Sequence, residues 1–129
     1  MPHRPLSPFT TIYRFMYTMV LSITHRITGV ALSAGLFLLA YWLMAAASGA
    51  VAYDRARDLL GQSWIKLLLG AWLLAFVYHL CNGVRHLIWD TGRGLEKADA
   101  RRSALLVVAA ALLLFGFFLW RALLAGGAE

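Results

Sequence analysis

The sequence predicts an all-α membrane protein with three transmembrane helices, and three observations carry that prediction. Of 129 residues, 61% are hydrophobic and only 14% charged, with a mean hydropathy of +0.70; a soluble domain carries about 25% charged residues. Three stretches, Ile27 to Tyr53, Leu67 to Val84 and Ser103 to Trp120, contain no Asp, Glu, Lys or Arg, and each reaches or approaches the roughly 20 residues a helix needs to cross a bilayer. Basic residues bracket these stretches instead of gathering on one face, so the net charge of +6 reads as membrane orientation and not as nucleic-acid binding.

The elements follow in order within a single domain over residues 1–129. Pro2, Pro5 and Pro8 fall at every third position of the first 17 residues and favour an extended tail over a helix. Tyr13, Phe15, Met16 and Tyr17 suit a segment at the membrane interface. The first span is expected over about 18–47, and Ser48-Gly49 opens a short outer loop holding Asp54, Arg55, Arg57 and Asp58. The second runs over about 63–89 and breaks at Thr91-Gly92-Arg93-Gly94. A loop of mixed charge, Leu95 to Arg102, leads to the third span over about 103–124.

Arg4, Arg14, Arg26, Arg85, Arg93, Lys97, Arg101 and Arg102 lie on the side of the N-terminus, against Arg55, Arg57, Lys66 and Arg121 opposite. That bias puts the N-terminus in the cytoplasm. Ala45-Ala46-Ala47 resembles a cleavage site, but the apolar run before it exceeds the about 7–15 residues of a signal peptide; the first helix is therefore expected in the mature protein. No transit peptide is visible, which favours a bacterial inner membrane or, for an organellar chain, the mitochondrial inner membrane. Cys81 is the sole cysteine, so no intrachain disulfide forms, and it reads as a small apolar filler.

Two polar clusters sit at the edges of the spans: Ser22-Ile23-Thr24-His25-Arg26, and His79 to Asp90. Ionisable groups at such depth are costly and mark functional sites. At about 100° per residue, Gly83, His86 and Asp90 fall within about 40° of His79 and form one stripe. Two readings fit. His79 ligates the iron of a flat macrocycle and Gly83 leaves room beside it, or His79 bonds a neighbouring helix and Gly83 serves close helix packing. With Arg26 and Arg85 marking the inner interface, His79 lies about 9 Å deeper at about 1.5 Å per residue. His25, at that interface, is then not placed to face His79 across an iron, nor is His86, on the same helix and face; if His79 ligates haem, the opposite axial ligand is expected from another chain. His25 and Arg26 are placed instead to meet anionic haem propionates. Ser22, His25 and Arg26 share a helix face, where a hydroxyl and a guanidinium suit a quinone carbonyl and the charge that develops during its reduction. Arg26 as a lipid-snorkelling anchor is the alternative.

Taken together, Arg4-Pro5-Leu6-Ser7-Pro8, Thr11 to Arg14, Ser22 with His25-Arg26 and Thr28-Gly29, and His79 with Gly83, Arg85-His86-Leu87 and Asp90 resemble one family. It is the larger cytochrome b membrane-anchor subunit of succinate dehydrogenase, respiratory complex II. The likeness covers the tail, the entrance of the first helix and the end of the second; the third helix is similar only in length and hydrophobicity. It implies half of a heterodimeric haem-binding helix bundle. A smaller anchor subunit would complete the bundle and supply the second axial ligand, and an iron–sulfur subunit and an FAD-bearing flavoprotein would dock on the inner face. By the same resemblance His79 is an axial ligand of haem b and His25 meets its propionates. Ser22 and Arg26 line the ubiquinone pocket, and Asp90 lies near the inner end of the quinone and proton path. Electrons from succinate would then reach ubiquinone through iron–sulfur clusters in the partners, and no residue of this chain is catalytic alone.

One departure is Pro8-Phe9-Thr10, where relatives often read Pro-His-Leu; it bears on contacts with the iron–sulfur subunit. His86 is given a structural role, and Trp42, Trp64 and Trp89 read as interface aromatics. A quinol:fumarate reductase anchor and a haem-free structural anchor are the alternatives. A channel is disfavoured because the outer halves of the spans are apolar.

Overall fold

Long apolar runs separated by short polar breaks fold, in this computed structural model, into four helices among the described residues. Residues 16–126 are described, so the expected extended tail lies outside them up to residue 15. Helix α1 is Tyr17–Ala47, α2 Ala50–Leu60, α3 Ser63–Asp90 and α4 Lys97–Gly126. Among the described residues there is no strand, and α1, α3 and α4 are long and apolar enough to cross a membrane. Their 31, 28 and 30 residues give lengths of about 42–46 Å at about 1.5 Å per residue. That is the thickness of a bilayer with its headgroups, about 40–45 Å.

Two stretches differ from the sequence expectation. The loop between the first two spans contains a helix, α2. Its alanines favour helix, Asp54 and Arg57, like Arg55 and Asp58, are three residues apart at a favourable helical spacing, and Ala56 is fully buried. Helix α4 starts at Lys97, a turn and a half before the charge-free run. Asp99 in its first turn complements the helix dipole, and a charge-free stretch measures the bilayer, not the helix. The breaks fall at glycines: Gly49 has φ 104°, Gly92 78° and Gly94 72°, a left-handed backbone that costs glycine little.

Packing follows the logic of a lipid solvent. The buried apolar residues are mostly small, Ala45, Ala56, Ala100, Ala104 and Ala111 among them, whereas Phe37 is 82% exposed and Leu67 76%. Small residues let helix backbones approach, and polar side chains then act as glue. Trp72 Nε1 donates to the Ala31 carbonyl at 2.9 Å, its ring seated against Gly35, where a Cβ would lie 3.2 Å from Trp72 Cε2. Tyr78 donates to the Leu21 carbonyl at 2.8 Å. These bonds fix α1 and α3 as antiparallel neighbours and set which residues meet where the start of α1 packs on the end of α3.

Candidate functional site

The N-terminal part of α1 and the C-terminal part of α3 bring three histidines together. The rings of His25 and His79 stack with centroids 3.8 Å apart and planes inclined by 12°, and His86 lies 5.2 Å from His25. The separation in depth inferred from the sequence therefore does not hold, because His25 touches His79 directly. The two still do not bracket a metal, since an imidazole coordinates in its own plane and not through its face.

His79 is held by its Nδ1. That nitrogen lies 3.1 Å from the His25 carbonyl and 3.1 Å from Thr28 Oγ1. A carbonyl only accepts, so Nδ1 carries the hydrogen. The Thr28 hydroxyl has the Thr24 and His25 carbonyls at 2.9 Å as its own acceptors, which leaves its lone pair for Nδ1–H. Nε2 of His79 consequently keeps its lone pair, and it makes no hydrogen bond among the described residues. His79 also borders an apolar cavity of about 860 Å³, lined by Gly29, Gly35, Trp42, Trp72 and Phe76, within the size range of small-molecule and cofactor sites.

Glycine makes the fit possible. A Cβ on Gly29 would stand 3.1 Å from His79 Cε1, whereas one on Gly83 would meet only His25 Cε1, at 3.7 Å. The close approach to the His79 ring itself is thus made from across the interface, by Gly29. Thr28 and Gly29, left without a role in the sequence reading, sit three and four residues beyond His25 and so share its helix face. That spacing was the available signal.

The remaining candidates are more open. Ser22 is half-buried, while Arg26 and Asp90 are exposed, and none makes a side-chain hydrogen bond or ion pair among the described residues. Asn82 Nδ2 approaches His86 Nε2 at 3.4 Å, and His86 meets the Trp89 ring edge-on. Arg85 does not mark the interface. It is 4% exposed and turns toward α4.

These residues fit a haem. Among the described residues no group of three or more His, Cys, Asp or Glu is arranged to hold a metal ion, but a haem brings four of the iron's ligands itself, so one histidine suffices. His79 offers a free in-plane nitrogen beside an apolar cavity. His25 Nδ1 is buried with no hydrogen-bond partner, a state that costs about 1–3 kcal/mol and that an acceptor such as a propionate would relieve.

Fold and site thus define a class, a three-span membrane protein with histidines between its helices. Residues 1–118 match the family of the succinate dehydrogenase/fumarate reductase transmembrane subunit. The succinate dehydrogenase cytochrome b556 subunit of Paracoccus denitrificans is 40% identical over 113 residues, 87% of this chain and 86% of that one. The cytochrome b556 subunit of Rickettsia typhi is 40% identical over 112 residues, 86% of each chain. The mitochondrial cytochrome b560 subunit of Homo sapiens is 38% identical over 108 residues, 82% of this chain and 64% of that protein. The chain belongs to this family of succinate dehydrogenase membrane-anchor subunits.

Proposed function

We propose that the chain anchors a succinate:quinone oxidoreductase, holds haem b through His79 and forms part of the site where ubiquinone is reduced. The observation that carries this reading is the His79 ring, tied at Nδ1 by His25 and Thr28 with Nε2 left free. The haem supplies a one-electron centre when bound. His79 fixes its position, and the apolar walls of the cavity exclude water from it. The buried Nδ1 of His25 and the guanidinium of Arg26 hold the propionates by charge-assisted donation. Ser22 donates to a quinone carbonyl, and Arg26 stabilises the negative charge that gathers on that oxygen during reduction. Asp90, exposed at the end of α3, exchanges protons with the inner aqueous phase.

The open setting of Ser22 and Arg26 calls for other chains to close the quinone pocket. In this reading the partners are an iron–sulfur subunit and an FAD-bearing flavoprotein on the cytoplasmic side, with a smaller anchor subunit that would supply a second ligand to the haem iron. The curated relatives named here are succinate dehydrogenase subunits, which favours succinate oxidation over the fumarate-reducing direction. Purification from detergent, with identification of co-purifying chains and a pyridine haemochrome assay, tests the proposal. A b-type haem with those three partners is expected; a colourless preparation or a lone chain would overturn it.

A further inference from the structure

We propose that Thr28 is a positioning residue for the haem ligand, its hydroxyl acting with Gly29 as a cradle that sets the tautomer and rotation of His79. The inference rests on the assignment of His79 as iron ligand and adds to it a determinant on the opposite helix, 51 residues away in sequence. A histidine ligand works when one ring nitrogen is held as N–H by an acceptor, because this fixes the ring and raises the basicity of the other nitrogen. Two oxygens surround His79 Nδ1, each at 3.1 Å, the His25 carbonyl and Thr28 Oγ1. Only the second belongs to a side chain.

The hydroxyl is itself pinned. Its proton goes to the carbonyls of Thr24 and His25 at 2.9 Å, so the oxygen cannot rotate into a donor toward Nδ1 and cannot stabilise the other tautomer. One residue on, the absent side chain of Gly29 admits His79 Cε1 to where a Cβ would be 3.1 Å away. Hydroxyl and glycine therefore act on adjacent atoms of the same imidazole edge: one holds Nδ1 and the other makes room for Cε1. Nε2 is left as the ligating nitrogen, with a donor strength set partly by the bond to Thr28. A more basic imidazole favours ferric over ferrous iron, so this bond lowers the haem potential.

Redox titration of the haem absorption band in the complex purified with its partner subunits tests this on Thr28→Val, Thr28→Ser, Gly29→Ala and His79→Ala. Thr28→Val keeps the shape and removes the acceptor. Its midpoint potential is expected to rise and its haem retention to fall roughly 10-fold, while Thr28→Ser returns both toward the parent. Gly29→Ala keeps the hydroxyl but crowds Cε1, and is expected to lose haem with little change in the potential of what remains. If Thr28→Val does not assemble, Thr28→Cys gives the same readout through a weaker acceptor. An unchanged or lowered potential in the Val or Cys variant, with His79→Ala colourless, overturns the positioning role alone. Full pigment in His79→Ala overturns the ligand assignment beneath it.

Discussion

Helix α3 carries polar groups on two faces, and they are in opposite states. Toward α4, Arg85 is buried and every part of its guanidinium is engaged. Nε donates to Ser103 Oγ at 2.9 Å, Nη2 to the Ala100 carbonyl at 3.0 Å and Nη1 to Asn82 Oδ1 at 3.4 Å, with Cζ lying 3.9 Å over the Trp89 ring. Toward α1, the imidazoles of His25 and His79 stack beside a cavity, with one buried nitrogen unmatched. A buried charge without several acceptors is strongly disfavoured, so the α3–α4 seam is satisfied within the chain. The α1–α3 seam spends its glycines and hydroxyl on holding one ring in place and leaves nitrogens over. The first arrangement serves the fold, and in the proposed function the second receives a ligand.

That contrast can be broken from either side. Arg26→Leu, on the open side, is expected to lower electron transfer to quinone about 100-fold, the scale of losing a donor that stabilises developing charge. Succinate oxidation by a soluble dye should stay intact, and equal quinone activity would count against Arg26. Arg85→Ala, on the closed side, leaves the buried Asn82 Oδ1 without its donor. A cost of about 2–3 kcal/mol is expected, read as a lower midpoint in thermal unfolding of the detergent-solubilised complex. The haem band should not move; a shifted band would mean that the two seams are coupled. Arg85→Lys should recover part of the loss, since an ammonium keeps the charge without the planar fork.

Smaller effects sharpen the picture. Ser22→Ala removes one neutral hydrogen bond, so KM for quinone should rise up to about 10-fold with kcat little changed; an unaltered KM would remove Ser22 from the pocket. Tyr17→Phe deletes the exposed bond to the Lys97 carbonyl. It should cost about 0.5 kcal/mol of stability, with no effect on quinone reduction in the dye and quinone assays.

The spans were legible because hydrocarbon excludes charge so strongly that charge-free runs announce them. The short helix α2 was not, since Asp54, Arg55, Arg57 and Asp58 look like a loop until the burial of Ala56 is seen. The stripe of His79, Gly83 and His86, which all face His25, was legible from helical angle alone. What failed was depth: Arg85 was used as a marker of the interface, but its side chain turns into the α3–α4 seam. A long basic side chain can reach lipid headgroups or a neighbouring helix, and spacing along one helix does not say which. Spacing puts Thr28 and Gly29 on the helix face of His25, but their contact with His79 joins segments 51 residues apart, and spacing within one segment does not say what that face meets.

The most direct measurement is the reduced-minus-oxidised absorption spectrum of the purified complex carrying His79→Ala, recorded beside His25→Ala. Loss of the b-type band from the His79 variant, with a retained but displaced band in the His25 variant, is the expected result. A full-strength band without the His79 imidazole would contradict its assignment as the ligand of iron.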